Sequence, residues 1–514
     1  MLLTALILVL ASFLGYRTIG PYRSYRADIM KLAPGQSVQT DTLEVGVARR
    51  NITPHLDEYD PWVDADNNGR FEPKKGDTYT DRNGNGTFDF VWLAGFSNNR
   101  PAKGVHDPLW ARAIAFRNSG VTVVMVSIDS IGIFNEKFIK VRKMIDSSLH
   151  IDHVMFSSLH NHEAPDTMGI WSYSVVHPRF DHKYMAFVQQ ACKEAVEEAV
   201  RNLQPAETIL AQVTAGPNGY VDDSRKPIVY DNVIRCARFV KAGSDDTIAT
   251  VVEWGCHPET LGGANPLLTS DFCGYWRDAV ENGVSEPNGV KRLGGMCLYF
   301  QGMLGGLMTQ LHTTVPHRNG VDKFTEPSFE KAQALGENLA ILTINAVRGE
   351  KAWRSTDTRV AVAAQTIFVP MSGLFHAGVL LGLVHPGWYW GKGRTEVDVI
   401  RVGELEILTI PGEMYPEIAE GGIESPEGAD YPSAPFEVPP LRSLMKGRLN
   451  MMIGLANDEL GYIIPKTQWD TRKPYAYGRT DRPQYGEENS PGPDVAPIIH
   501  HEAVALLNAF HSAR

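Results

Sequence analysis

Apolar and β-branched runs alternate along the chain with stretches of helical periodicity, the pattern of a mixed α/β protein. The short apolar runs predict strands over residues 44–48, 110–116, 120–129, 151–156, 209–213, 248–254, 359–370 and 395–410. Apolar residues spaced three and four positions apart predict helices over residues 182–202, 327–347 and 494–510. No linker separates these elements into modules. We therefore expect one large α/β domain over residues 43–512, with mixed β-sheets flanked by α-helices.

The N-terminal segment is a separate apolar run over residues 1–14. Its length is typical of a signal-peptide core and short for a membrane span. We interpret residues 1–30 as a signal peptide and linker, which predicts an exported protein in the periplasm, at the cell surface or in the medium. Because Arg17, Arg23 and Arg26 follow the run and no basic residue precedes it, an uncleaved N-terminal membrane anchor is the alternative.

Charge and cysteine content exclude several classes of protein. The net charge of -11 and the pI near 5.8 argue against a nucleic-acid partner, because phosphate neutralisation needs clustered Lys and Arg. Five scattered cysteines with no C-x-x-C pair encode neither a disulfide scaffold nor a thiolate zinc cluster.

The apolar stretch 373–384 is too short to span a bilayer. We interpret it as a core segment, with an acyl-pocket wall or contact with a membrane surface as alternatives.

Two short loops repeat a spacing of oxygen-bearing side chains, at loop positions 1, 3, 5 and 9 with glycine at position 6. Calcium takes about six to eight hard oxygen ligands, and such a loop lets alternate side chains and one carbonyl converge on the ion. The matched register favours stabilising calcium loops, in an insertion over residues 60–92, over a flexible Asn/Asp/Gly turn. Lys75 stands where an EF-hand needs Glu, so we expect no flanking helix pair. The predicted ligands are Asp64, Asp66, Asn68, Arg70, Glu72, Asp81, Asn83, Asn85 and Asp89.

Two histidines follow the strand predicted over residues 151–156. On an extended backbone, residues two apart point the same way, so His160 and His162 are expected to face one site. His257 and Glu413 also come directly after predicted strands. Two imidazoles, one carboxylate and one open position form a catalytic zinc set. The alternative interpretation is a pair of ordinary polar residues in a surface turn.

The histidine pair lies in the segment Ser158-Leu159-His160-Asn161-His162-Glu163-Ala164-Pro165. This segment resembles the S-x-H-x-H-x-x-P signature of the neutral/alkaline non-lysosomal ceramidases. The resemblance continues in order through Arg225, His257-Pro258, Ser270-Asp271, Gly274-Tyr275, residues 410–413, residues 457–462 and Tyr485. It implies a ceramidase-like catalytic domain, with a zinc site of His160, His257, Glu413 and Tyr462. It also implies that His162, Arg225 and Tyr485 surround the scissile amide.

The chain departs from this family at the element Gly-Asp-x-Ser-Pro, whose serine is the assigned nucleophile. The corresponding segment, residues 304–309, has Gly306 in the Asp position and Met308 in the Ser position. A thioether cannot attack a carbonyl. Either Thr309 or another hydroxyl replaces the serine, or zinc-activated water acts alone, which we favour. The sequence also ends where the C-terminal immunoglobulin-like domain of those ceramidases would follow.

These patterns predict an exported, zinc-dependent hydrolase that cleaves a small-molecule or lipid amide and carries Zn²⁺ and Ca²⁺. A first alternative is a catalytically silent relative that keeps the fold as a metal-binding envelope protein. A second alternative is an ester hydrolase on the same fold.

Overall fold

A computed structural model describes residues 2–18, 20–32, 42–173, 180–371, 388–389 and 391–513. The apolar stretch predicted over residues 373–384 lies outside the described residues. The helices span Leu2–Thr18, Asn135–Met144, His182–Arg201, Asp271–Asn282, Phe329–Arg348, Pro416–Glu420, Leu441–Leu444 and Val495–Ser512. Among the described residues, no helix is both long enough and apolar enough to cross a membrane.

In the described part of the chain, two large sheets carry most of the strands. The larger sheet has the order Met296–Gln301, Thr247–Trp254, Val233–Lys241, Gln204–Thr214, Glu44–Asn51, Trp110–Asn118, Val121–Ile128 and His153–Ser158, with Trp353–Arg354 beside Gln204–Thr214. Its first and last neighbouring pairs are parallel and the other pairs are antiparallel. The sheets are therefore mixed, as predicted.

The smaller sheet has the order Ile29–Lys31, Val360–Pro370, Lys392–Val402, Leu405–Thr409 and Leu449–Ile453, with Trp388–Tyr389 beside Lys392–Val402. The prediction of a single strand over residues 395–410 is wrong, because two strands form there. Gly403 has φ +60° and turns the chain there into an antiparallel hairpin. Two-stranded pairs join Trp62–Val63 to Thr78–Tyr79, Gly104–Val105 to Leu267–Leu268, Asp222–Asp223 to Met308–Thr309, Val315–Pro316 to Lys323–Phe324, and Glu413–Met414 to Tyr462–Ile463.

The two sheets pack face to face, with helices on both outer faces. Along Val121–Ile128, Val123 and Met125 pack between the sheets, whereas Val124 and Val126 pack against the helix His182–Arg201. Successive side chains of a strand point to opposite faces, so a strand buried on both faces is apolar throughout. The helices Asp271–Asn282 and Phe329–Arg348 enclose a third apolar cluster. The helix Val495–Ser512 covers the outer face of the smaller sheet.

The predicted site residues follow strands of both sheets. His160 and His257 come directly after His153–Ser158 and Thr247–Trp254 of the larger sheet. Glu413 follows Leu405–Thr409 of the smaller sheet and pairs in register with Tyr462. The packing of the two sheets thus brings segments more than 300 residues apart in sequence, such as those of His160 and Tyr462, to one edge. All five cysteines are buried free thiols.

Candidate active site

His160 and His257 each have one ring nitrogen fixed by the backbone. Nδ1 of His160 lies 2.8 Å from the carbonyl oxygen of Ile131, and Nδ1 of His257 lies 2.8 Å from that of Met308. A carbonyl oxygen can only accept, so each Nδ1 donates and carries the proton. In the neutral ring, Nε2 then has a free electron pair.

Both Nε2 atoms point at the same carboxylate oxygen. Oε2 of Glu413 lies 3.3 Å from Nε2 of His160 and 3.0 Å from Nε2 of His257. The phenolic oxygen of Tyr462 lies 3.5 Å from Nε2 of His257. Three electron-rich atoms converge here, and a cation or an extra proton on a ring is needed to hold them together.

These donors fit a zinc ion. Imidazole nitrogen and carboxylate oxygen are its usual ligands, and for bonds of about 2 Å the corners of a tetrahedral site lie roughly 3.3 Å apart. The separations of Glu413 from His160 and His257 match that spacing. Burial lowers the pKa of His160, which favours the neutral ring that a metal needs. Burial would raise the pKa of Glu413, but the facing histidines lower it and keep the carboxylate ionised.

His160 and His162 lie at the same site, but the backbone that places them there is not the extended one that was predicted. The strand ends at Ser158, and His160 has φ +62°, so the backbone turns at His160 and is not extended. The two rings meet at 4.9 Å between centroids. His162 differs from His160, because neither of its buried ring nitrogens has a hydrogen-bond partner among the described residues. Burial holds its pKa well below the usual value.

The site opens into a cavity of about 420 Å³. Its lining includes six apolar residues, Phe96, Ile131, Phe134, Met168, Ile170 and Trp171. It also includes the site residues and two carboxyl groups that the sequence analysis missed, Glu259 and Glu459. Glu459 lies inside the matching segment 457–462, and Glu259 directly follows the matching pair His257-Pro258; that proximity was the available signal.

No family model and no curated protein matches the chain. Solved structures of ceramidases do match it. The neutral ceramidase from Pseudomonas aeruginosa matches with a TM-score of 0.64 and 15% identity, over 92% of this chain and 75% of the other. A ceramidase complexed with C2 matches with a TM-score of 0.63 and 16% identity, over 92% and 76%. This chain has the ceramidase fold.

Within this ceramidase-like fold, Tyr485 lines the cavity, with its ring 6.0 Å from that of Tyr462. Arg225 lies behind it. The Arg225 guanidinium is buried, pairs with both carboxylate oxygens of Glu487 at 3.0 and 2.7 Å, and donates to the carbonyl oxygens of Gln468 and Tyr485. The structure therefore brings Tyr485 to the predicted zinc ligands, whereas Arg225 supports the segment that carries Tyr485.

The segment over residues 304–309, predicted to stand in place of the ceramidase serine element, contacts the site through its backbone. The carbonyl oxygen of Met308 accepts hydrogen bonds from both the amide and Nδ1 of His257. The Met308 side chain is fully buried in the apolar core beside Trp254. Its neighbour Leu307, with φ +72°, lines the cavity instead. The hydroxyl of Thr309 accepts from the amide of Leu311 at 3.0 Å.

The two predicted calcium loops have matching backbones, with φ +76° at both Gly69 and Gly86. No helix pair flanks them within the described residues, as expected. In the first loop, Asp64, Asp66 and Asp77 place carboxylate oxygens close enough to share a metal ion. Asp77 was not predicted; it lies outside the repeated spacing and meets the loop only through the fold.

Proposed function

We propose that the chain is a zinc-dependent hydrolase that cleaves an amide bond of an N-acyl lipid or another N-acyl compound. The convergence of His160, His257 and Glu413 on one point is the observation that carries this proposal. Tyr462 completes the predicted ligand set. Zinc in this position supplies Lewis acidity and an activated water near neutral pH.

The chain's own residues then bind and orient the substrate. The apolar residues of the cavity lining accept the acyl chain and exclude water from it. Tyr485 and His162 face the same space as the predicted ligands, and each can donate a hydrogen bond to the carbonyl oxygen on which negative charge develops. Arg225, predicted to lie beside the scissile amide, instead holds the Tyr485 segment in place.

Metal content and turnover test this proposal together. His257→Ala removes a ligand and should abolish both stoichiometric zinc and hydrolysis. His501→Ala is the matched control, because His501 is exposed on the C-terminal helix and does not line the cavity. Activity retained by a metal-free preparation would contradict the proposal.

A catalytically silent relative is the second candidate, and the burial of Met308 favours it, because no serine takes that place. Screening the protein against N-acyl lipids, N-acyl amino acids and simple esters separates the candidates. Turnover that a chelator abolishes excludes the silent scaffold. Turnover of esters alone would assign the alternative ester hydrolase.

We further propose that the loops over residues 64–72 and 81–89 bind calcium in a stabilising role, and that the protein is exported. The helix Leu2–Thr18 is apolar, and its leucines Leu6, Leu8 and Leu10 are exposed, as expected for a targeting segment. Mass spectrometry of the protein from the native host tests export, because a signal peptide would be missing from the mature chain and an anchor would remain.

A further inference from the structure

The cavity holds more metal-binding groups than one zinc ion uses. Beyond the predicted ligands it is lined by His162, Glu259 and Glu459. Among the described residues that line it, none is Lys or Arg. Counting Glu413, three carboxyl groups therefore share one cavity.

Two of the additional groups form a second pair with metal-ligand spacing. Nδ1 of His162 lies 3.5 Å from Oε2 of Glu259. This separation is close to the roughly 3.3 Å expected between two ligands of one tetrahedral zinc ion. Nδ1 is the ring nitrogen that faces Glu259, and like Nε2 it has no hydrogen-bond partner among the described residues.

Glu459 is a further buried carboxyl group of the cavity with an unpartnered oxygen. Its side chain is 3% exposed, and one carboxylate oxygen accepts from the amide of Gly461 at 2.8 Å. The other oxygen, Oε2, has no partner in the described structure. An unpartnered carboxylate oxygen in a buried cavity is costly unless a cation or a protonated group faces it.

We propose that the cavity binds two divalent cations, the second held by Nδ1 of His162 and the carboxylate of Glu259. The inference rests on the proposed function for the first ion. Paired divalent ions about 3.5–4 Å apart are an established arrangement for hydrolysis, in which both stabilise the charge of the transition state. With Nδ1 bound, the proton of His162 resides on Nε2, which can donate to the substrate carbonyl.

Zinc stoichiometry tests the proposal. The purified full chain is loaded with zinc in excess calcium, which occupies the loops, and is then desalted and analysed for zinc per chain. We expect two zinc ions in the wild type and one in His162→Ala and Glu259→Gln. Glu488→Gln is the matched control and should keep two, because Glu488 lines a neighbouring pocket and not the cavity.

The other results separate the two proposals. One zinc in the wild type, unchanged in both variants, overturns the second site and leaves the first. A single zinc that His162→Ala abolishes means that one ion takes all three histidines, whose nitrogens lie within 4.8 Å of one another, and also overturns the second site. No zinc at all contradicts the proposed function itself. If the variants do not fold, anomalous scattering at the zinc edge from wild-type crystals decides: a peak between His162 and Glu259 is expected, and its absence overturns the proposal.

Discussion

Replacing Gly95 with alanine should slow hydrolysis by displacing His162. A Cβ atom at Gly95 would lie 2.5 Å from both Cγ and Nδ1 of the His162 ring. Non-bonded carbon atoms normally stay about 3.5–4 Å apart, so the ring must move by about 1 Å. A misplacement of this size costs on the order of 100-fold in rate when the displaced group acts on the substrate. We therefore expect kcat/KM of Gly95→Ala to fall about 100-fold.

The control must separate this displacement from backbone strain. Gly95 has φ +71°, and Gly243 has φ +73° with nothing within 4 Å of its Cβ position. Both alanine variants therefore carry the left-handed backbone cost of about 1–2 kcal/mol, but only one moves His162. The assay compares kcat/KM on one N-acyl substrate, with denaturant unfolding as the check on stability. If Gly95→Ala keeps the activity of Gly243→Ala, His162 does not contact the reacting groups.

Three further predictions follow from buried groups and loops. Met308→Ser should lower the free energy of unfolding by about 2–5 kcal/mol, measured with denaturant, because it empties core volume; a faster enzyme would show that the new hydroxyl reaches the substrate. Burial raises the pKa of Asp223 to about 8, so the folded state keeps a proton that the unfolded state loses near pH 4. Stability should therefore fall as pH rises from about 4 through 8, and a fall of equal size in Asp223→Asn would contradict this. Calcium at about 100 times its Kd should add about 2.7 kcal/mol per site and raise the Tm; combined Asp64→Asn and Asp81→Asn should abolish the increase, and a rise that survives both changes would place the ion elsewhere.

The features that could be predicted from the sequence are those that depend on residues close together in the chain. The apolar runs before His160 and His257 predicted strands, because a strand buried on both faces must be apolar along its length. The repeated Gly69 and Gly86 predicted loops of one shape, because only glycine adopts a left-handed backbone at little cost. The ordered motifs of the ceramidase resemblance predicted the fold, and the solved structures confirm it.

Which side chains lie close together could be seen only in the tertiary structure. Glu459 and Glu259 reach the cavity because the two sheets pack together, and no local pattern encodes that packing. The left-handed turn at His160 replaced the expected extended backbone. The directions of two side chains were equally hidden: Leu307 lines the cavity and Met308 lies in the core, in a turn where Gly306 and Leu307 have φ +78° and +72°. Periodicity fixes where a strand or helix forms, whereas a site between segments hundreds of residues apart depends on sheet order and on turns with unusual backbone angles.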